Sequence, residues 1–350
     1  MAADPAMEFP TALSDLPNPP SHLAVDPKTG DLWFLIFTYD GTSNTLYHYS
    51  AVDGKVETFE IPSDSGSELY SAISVDSRGH VISAEGSVIT DFDPASGEFI
   101  NLALPEPATK AVGYSPSDGA WVLDMAISDS GLAYLSRMNI PAITEFGLST
   151  GESRELPYPS TFGPAYDIEL GDDAVWMTSV WNIIGLSTAQ TGRIDPVTGE
   201  FTAVGPATTA ISAGRDEAVL GVRASSAEAP TADLVEVSAA GFTSTPVAPG
   251  DEKARLVQGL GIRDFMTVAP ATGAVWVTGE GSGSVFRVIS GSVREYNLPV
   301  YGGFAPRCDA TECPDANLRT AIRGLAAAPN GDLYFSDATL SRVGVIRADQ

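Results

Sequence analysis

The feature that most constrains the fold of this chain is a sequence unit of about forty-five residues that recurs along it. The clearest copy, at 324–337, is GLAAAPNGDLYFSD: an apolar strand, a turn rich in Pro, Asn and Gly, and a second strand that carries an aromatic residue. Two more copies are HLAVDPKTGDLWF at 22–34 and FMTVAPATGAVWV at 265–277. Four weaker copies, which make seven in all, begin at Ala72, Asp124, Asp167 and Ala210. A repeat of this length built only of short strands and turns predicts an all-β fold, the β-propeller.

Each repeat continues with two further strands. The third is seen in LYHY at 46–49, and the fourth runs into Leu-Pro, as in NLALP at 101–105. Turns such as DPASG at 93–97 join them, because Asp and Pro open a turn and Gly supplies its positive φ. Four antiparallel strands joined by hairpins make one blade. We therefore predict seven four-stranded blades, with six as the alternative if the degenerate repeat at 209–249 is not a blade.

The two ends of the chain predict how the ring closes. The last repeat runs out at 343–350 after its third strand, and residues 7–17 contain a blade ending with no strands before it. We expect the N-terminal segment to pair with the last blade as its outer strand, which leaves no open seam. The chain 1–350 is then a single propeller domain. Its predicted blades span 18–62, 63–105, 106–159, 160–206, 207–249, 250–299, and 300–350 with 7–17.

The charge of the chain bears on its partners. There are 45 Asp and Glu against 19 Lys and Arg, a formal net charge of −26. Such a surface repels nucleic acid and anionic membranes, so we expect neither as a partner. No run of eighteen apolar residues is present, so no membrane span is predicted. We expect a monomer whose partner is a small organic molecule.

Cysteine usage suggests an oxidising compartment. Cys308 and Cys313 lie five positions apart in a Pro-containing loop and could form a local disulfide. They have no neighbouring His and make a poor zinc site. The printed chain has no basic region followed by an apolar core, hence no intact signal peptide. We expect a protein of the secretory pathway that carries this disulfide.

The openings of the repeats predict where chemistry lies. The innermost strand of each propeller blade lines the central channel, and charged groups there belong at a wet mouth because dry burial is costly. The candidate catalytic residues are His22, Asp124, Asp167, Asp264 and Arg323. The candidate substrate-binding residues are Glu85, Tyr114, Trp121, Arg137, Tyr166, Arg223, Phe265, Glu280 and Asp337. The alternative is a solvated channel whose charges pair with one another.

Among the three histidines, His22 alone falls on this ring, where it could act as a general base near neutral pH. His48 falls in a third strand and His80 at a turn, so we expect both to be structural or exposed. The carboxylates could instead hold a hard cation, Mg²⁺ or Ca²⁺, although no Asp-x-Asp-x-Asp loop is present. The aromatic position of the repeat itself predicts a blade-core role for Trp33, Trp176 and Trp276.

Two long loops carry aromatic residues toward the same mouth. KAVGYSPSDGAW at 110–121 precedes the strand of Asp124, and PYPSTFGPAY at 157–166 precedes that of Asp167. Aromatic side chains over a polar mouth suit a small, partly apolar organic ligand, and packing between blades is the alternative. The aromatic residues of these loops are Tyr114, Trp121, Tyr158, Phe162 and Tyr166, and the segment before Arg323 adds Tyr301 and Phe304.

The repeat also resembles that of the streptogramin B lyase family, over nearly the whole chain. The matching segments are VWVTGE at 275–280, NIIGLS at 182–187, TGRID at 191–195, and endings such as EYNLP at 295–299. The resemblance implies a seven-bladed propeller that opens a cyclic depsipeptide by Mg²⁺-dependent elimination, with catalytic His and Glu residues in late blades. Glu280 matches a family-type position. Every His of this chain lies at or before His80, so it is similar to a divergent member without the lyase histidine.

Three functions follow as hypotheses. The first is a secreted enzyme that acts on a natural product at the channel mouth by non-hydrolytic elimination or proton transfer. The second is a cyclase or pericyclase of secondary metabolism, in which the same pocket steers a reactive intermediate. The third is a secreted binding propeller without catalysis.

Overall fold

The structure is a computed structural model. The structure describes residues 6–37, 44–62, 71–108, 122–171, 174–183, 186–204, 208, 210–213, 219–224, 232–238, 241–246, 264–279, 284–290, 292–298, 322, 324–338 and 340–348. Within these residues the strands form seven four-stranded antiparallel sheets, so the prediction of seven blades is confirmed.

The first three blades are each built from four consecutive strands. Blade 1 consists of β2 Pro20–Val25, β3 Leu32–Phe37, β4 Asn44–Tyr49 and β5 Val56–Ile61. Blade 2 consists of β6 Ser71–Val75, β7 Val81–Glu85, β8 Val88–Asp93 and β9 Glu98–Ala103. Blade 3 consists of β10 Val122–Ile127, β11 Leu132–Arg137, β12 Ala142–Gly147 and β13 Ser153–Pro157.

Blades 4 to 6 repeat this plan, and the degenerate fifth repeat is a blade. Blade 4 consists of β14 Asp167–Leu170, β15 Val175–Ile183, β16 Leu186–Ile194 and β17 Phe201–Ala203. Blade 5 consists of β18 Ala210–Ala213, β19 Val219–Ala224, β20 Ala232–Ser238 and β21 Gly241–Pro246. Blade 6 consists of β22 Asp264–Val268, β23 Val275–Gly279, β24 Ser284–Ile289 and β25 Ser292–Asn297.

Blade 7 closes the ring with both ends of the chain. It consists of β26 Leu325–Ala327, β27 Leu333–Asp337, β28 Arg342–Ile346 and the N-terminal β1 Met7–Glu8. β1 pairs antiparallel with β28, as predicted, with Met7 opposite Ile346. The inner strand β26 contacts β2, so the first and last blades are neighbours.

Turn chemistry explains why the strands end where they do. Asp195 Oδ1 accepts the backbone N–H groups of Val197 and Thr198, and Gly199 closes the turn at a φ of +74°. In the same way Asp26 Oδ1 accepts the N–H of Lys28, and Gly30 has a φ of +79°. A residue with a Cβ is strained at such φ values, so the Asp-Pro-x-x-Gly pattern fixes the hairpins.

The spaces between blades are filled by apolar side chains. Trp33, Trp176 and Trp276 are all buried, which confirms their assignment to the blade core. Trp33 lies between blades 1 and 2, against Phe92, and stacks on the His48 ring at a centroid distance of 4.2 Å. Alternation along each strand sends successive side chains to the two neighbouring blades.

Among the described residues, none forms a helix long and apolar enough to cross a membrane. Cys308 and Cys313 lie outside the described residues, so their disulfide stays a prediction.

An ion-pair network fastens the closing strand. Arg347 donates through Nε to Glu8 Oε2 and through Nη1 to Asp332 Oδ2, each at 2.8 Å. Asp332 is buried, and its other carboxylate oxygen accepts the N–H of Ala348.

We predict that Arg347→Ala destabilises the protein by about 1–3 kcal/mol, because it leaves the buried Asp332 carboxylate short of a donor. The free energy of unfolding in urea measures this. Lys55→Ala is the matched control: it removes a pair with Asp53 that lies in an exposed turn, so stability should hardly change. Equal losses in the two variants would contradict the proposed role of Arg347.

Candidate functional site

The register between the first two strands of each blade identifies one equivalent position at the top of every inner strand, which we call the ring position. Asp124 lies opposite Ser136, Asp167 opposite Thr178, and Phe265 opposite Thr278. In blade 1 the register shifts between Ser21 and Leu23, so His22 is the extra residue of a bulge. The seven residues at or beside the ring position are His22, Ala72, Asp124, Asp167, Ala210, Phe265 and Gly324.

Two of the predicted catalytic residues, Asp124 and Asp167, occupy this position in neighbouring blades. Each carboxylate reaches the inner strand of the next blade. Asp124 Oδ2 accepts the backbone N–H of Ile168 at 2.8 Å, and Asp167 Oδ2 accepts that of Ile211 at 2.7 Å. An inner strand has one edge without a partner strand, so its N–H groups need other acceptors. The two carboxyl groups therefore help to hold consecutive blades together.

A third acid, Glu169, joins them and is absent from the sequence-based candidates. It lies two residues after Asp167 on β14, so both side chains project from the same face of the strand. Its carboxyl group accepts the backbone N–H of Ala213, the next edge group after Ile211. Asp124, Asp167 and Glu169 thus form one acidic cluster, which we call the carboxyl cluster.

The position of Glu169 is exceptional within the repeat. Glu169 on the first strand of blade 4 lies opposite Trp176 on the second strand. In each of the other six blades, the first-strand residue at the equivalent position is small. These residues are Ala24, Ser74, Ala126, Ser212, Thr267 and Ala326. This contrast is visible in the sequence once the repeats are aligned at the inner strand as well as at its opening. A purely structural repeat requires no acid at this point.

Burial and mutual repulsion change the acidity of the cluster. Burial is the main cause that raises the pKa of Asp167 well above its usual range, and the neighbouring Asp124 and Glu169 add to the rise. Burial, with the charge of Asp124, raises the pKa of Glu169 to about 8. The carboxyl groups of Asp167 and Asp124 are hydrogen-bonded to each other, which requires a proton on one of them. We assign that proton to Asp167.

The cluster is partly enclosed by the protein. Asp124, Asp167 and Glu169 are each half-buried, whereas the apolar residues beside them, Met125 and Ile168, are buried. A carboxyl group with a raised pKa in a partly enclosed site is suited to general acid–base chemistry. Across the described residues, no group of three or more His, Cys, Asp or Glu side chains is placed to hold a metal ion.

The histidines fall as the sequence indicates. His22 is half-buried on the inner strand β2 with a φ of +39°, a strained value for a residue with a Cβ. His48 lies 3.2 Å from Asp31 Oδ2, and His80 Nδ1 lies 2.8 Å from Asp91 Oδ1. His48 and His80 therefore serve blade structure.

Two predicted binding residues lie in the protein interior. Arg137 is 2% exposed and donates through both Nη atoms to the carbonyl oxygen of Pro105, at 3.1 and 3.2 Å. Asp337 is also 2% exposed and accepts from Arg342 Nε at 2.9 Å within the hairpin that joins β27 to β28. These contacts indicate that the charged side chains of Arg137 and Asp337 have structural roles.

The other predicted binding residues in the described part are closer to the ring. Tyr166 precedes Asp167, is half-buried, and donates its backbone N–H to the carbonyl of Thr178 at 2.9 Å. Phe265 packs against the apolar cluster between blades 6 and 7. Glu85 ends β7 opposite Ser71.

Some predicted residues lie outside the described part of the chain: Tyr114, Trp121, Glu280, Tyr301, Phe304 and Arg323. The side chains of Asp264 and Arg223 also lie outside it. The backbone of Asp264 opens β22 opposite Gly279, one residue before the ring position. In the 157–166 loop, Tyr158 and Phe162 are buried against Phe201, so packing accounts for these two aromatic residues.

The fold and the site define a class: a seven-bladed β-propeller with a carboxyl cluster on its channel wall between blades 3, 4 and 5. No protein-family model and no curated protein sequence matches the chain.

Solved structures do match it. Virginiamycin B lyase from Staphylococcus aureus superimposes with a TM-score of 0.67 at 16% identity, over 97% of this chain and 98% of that one. The WD40 repeats of RRP9 give a TM-score of 0.63 at 11% identity over 99% of both chains. Kuenenia stuttgartiensis hydrazine synthase gives 0.61 at 15% identity, over 96% of this chain and 97% of that one. At these identities the likeness establishes the fold and not an activity.

We predict that Glu169 makes the protein less stable as the pH rises. The folded protein keeps this proton up to about pH 8, whereas the unfolded chain releases it near the ordinary value of 4.5. The contribution of protonated Glu169 to the free energy of unfolding is therefore fully present below about pH 4.5 and is lost as the pH rises to about 8. Glu169→Gln, which has no proton to lose, should gain on the wild type over this interval by an amount on the order of a few kcal/mol.

Urea unfolding of both proteins at pH 5, 6, 7 and 8 measures the difference. Glu98→Gln, on the exposed outer strand β9, is the control for removing one carboxylate from an acidic protein. If the wild type and Glu169→Gln change in parallel over this range, Glu169 does not hold its proton in the folded state.

Proposed function

We propose that this propeller is an enzyme that moves a proton on a small organic molecule at the mouth of its channel, in a non-hydrolytic elimination or a related proton transfer. The observation that carries the proposal is Glu169. It is an acid with a pKa of about 8 on the channel wall, beside two hydrogen-bonded carboxyl groups, at a point where the other six blades have Ala, Ser or Thr.

The cluster can supply both halves of an elimination. In its ionised form, Glu169 takes a proton from a carbon next to a carbonyl group. The electron pair of that C–H bond forms the new double bond, and the bond from the adjacent carbon to the leaving oxygen breaks. Asp167, which holds a proton, delivers it to that oxygen. The product is an isomer of a cyclic substrate, and no water is consumed.

The protonation states of the two acids are restored within the cluster. After one turnover Glu169 carries the proton and Asp167 is ionised. Because both groups lie beside Asp124, the proton can return to Asp167 at little electrostatic cost. Mutual repulsion raises the cost of each further ionisation, so the cluster favours sharing a limited number of protons.

The substrate class, the oligomeric state and the location of the protein are inferred from its sequence. A small, partly apolar natural product as partner, a monomeric state, and a secreted location agree with the aromatic loops, the net charge and the cysteine pair. The fold shared with a virginiamycin B lyase supports a propeller as a scaffold for such chemistry. A cyclase that uses the same carboxyl groups as proton donors is the alternative enzyme.

The second candidate is a binding propeller without catalysis. It is favoured by the bonds from Asp124, Asp167 and Glu169 to backbone N–H groups of the next blade, since these give all three acids a structural task. The two candidates differ in turnover: the enzyme converts its substrate and depends on the Glu169 carboxyl group to do so, whereas the binding propeller has no turnover to lose.

We predict that Glu169→Gln lowers turnover at least about 100-fold, because a positioned acid–base group typically contributes that much. The assay is incubation of the protein with a panel of cyclic depsipeptides, lactones and β-substituted carbonyl compounds in D₂O. Mass spectrometry separates ring opening by elimination, which gives an isomer, from hydrolysis, which adds one water.

The Glu98→Gln variant controls for general effects and should keep wild-type turnover. Circular dichroism confirms that both variants are folded. Binding of a panel member without turnover by the wild type would favour the non-catalytic propeller, and full turnover by Glu169→Gln would remove Glu169 from the mechanism. Repeating the assay with EDTA separates a metal-assisted lyase from a reaction that depends on protein groups alone.

A further inference from the structure

Between blades 4 and 5 the repeat replaces apolar packing with a row of polar side chains. Asp167 on β14 lies opposite Thr178 on β15, and Thr178 lies opposite Thr191 on β16. Residues directly opposite in antiparallel strands point to the same face, with their Cβ atoms about 4.5–5.5 Å apart. The three side chains therefore form a continuous row facing blade 5, which we call the polar seam.

Blade 5 completes this seam with Thr208. Its N–H donates to Thr191 Oγ1 at 3.1 Å, and the two hydroxyl oxygens lie 2.9 Å apart. Room for Thr208 comes from Gly221, where the equivalent second-strand residues include Leu135, Met177 and Val277. A Cβ at Gly221 would lie 2.5 Å from Thr208 Cγ2, so a larger residue would displace Thr208.

Thr178 is the member of the seam whose hydroxyl is unsatisfied. The residue is 0% exposed, and its Oγ1 has no hydrogen-bond partner among the described protein groups. Its counterpart in blade 6, Thr278, donates to the carbonyl oxygen of Ser284 at 2.8 Å. A buried hydroxyl without a partner costs roughly 1–3 kcal/mol, so native proteins usually give such a group a protein or water partner.

The geometry points to an ordered water as that partner. We propose that the polar seam binds one internal water molecule, which bridges Thr178 Oγ1 and the Asp167 carboxyl group. One water spans two polar atoms about 5 Å apart, the spacing that cross-strand neighbours provide. Polar partners on both sides meet the requirement of two to four hydrogen bonds for a buried water.

This site extends the carboxyl cluster away from the channel. The charged groups that face Asp167 in the described structure are Asp124 on β10 and Glu169 on its own strand, and β15 and β18 contribute the Thr178 hydroxyl and the Ile211 N–H. Water in the seam gives the Asp167 proton a second neighbour besides Asp124. Only this use of the water rests on the proposed function, because its binding can be measured without turnover.

The first test detects the water in the folded wild type. With Thr methyl groups labelled, a nuclear Overhauser effect between the Thr178 methyl group and a long-lived water is expected. Its absence overturns the proposal, whatever the variants show.

The second test compares Thr178→Val with Thr278→Val, two substitutions of the same shape at equivalent positions. Both should lower the midpoint of thermal unfolding by roughly 2 °C, because each removes a satisfied hydroxyl. An unchanged or raised midpoint for Thr178→Val alone means that its hydroxyl has no partner and overturns the proposal.

The third test concerns the link to Asp167. The pKa of Asp167, measured from the carbon-13 chemical shift of its carboxyl carbon, should change in Thr178→Val and remain unchanged in Thr278→Val. An unchanged titration in both variants overturns the link. Loss of substrate turnover in Glu169→Gln has no bearing on any of these readouts, so the two proposals can fail independently.

Discussion

The inner strand of every blade has one edge that no other strand covers, and the ring must satisfy the N–H groups along it. Between blades 3, 4 and 5, carboxyl groups accept these hydrogen bonds. Asp124 accepts the N–H of Ile168, Asp167 that of Ile211, and Glu169 that of Ala213. Because each acid reaches into the next blade, the acids cannot move apart to relieve their repulsion without weakening the ring. The raised pKa values of Asp167 and Glu169 are the electrostatic result of that constraint.

The carboxyl cluster and the polar seam are two parts of one departure from the repeat. Elsewhere, as between blades 3 and 4, buried Ile, Leu, Met and aromatic side chains fill the space. Between blades 4 and 5 the described apolar cluster consists of Ala174, Trp176, Ile211 and Val235, with Val204 against it. Acids and hydroxyls lie beside that cluster, and a buried polar group needs a partner that an apolar one does not.

The sequence predicted the architecture well because the propeller repeat is local. Strand alternation and Asp-Pro-x-x-Gly turns are decided within a few residues, and the ring closure follows from counting strands. Asp124 and Asp167 could be found because they open their strands. Glu169 was missed because it looks like an ordinary strand residue until six small residues are aligned with it. The pairing of Asp167 with blade 5, and the interior positions of Arg137 and Asp337, depend on contacts between separate segments that no local pattern encodes.

The pairing of β1 with β28 implies an order in which the contacts of the ring form during folding. Glu8 and Arg347 lie 339 positions apart, whereas Asp124 and Ile168, or Asp167 and Ile211, are separated by 44. Contacts between consecutive blades can form as soon as two repeats exist, but β1 must wait for β28, since closing so large a loop costs the most chain entropy. The acidic interface of blades 3 to 5 can therefore assemble in an open arc, and the channel acquires its final width only when the two ends of the chain meet.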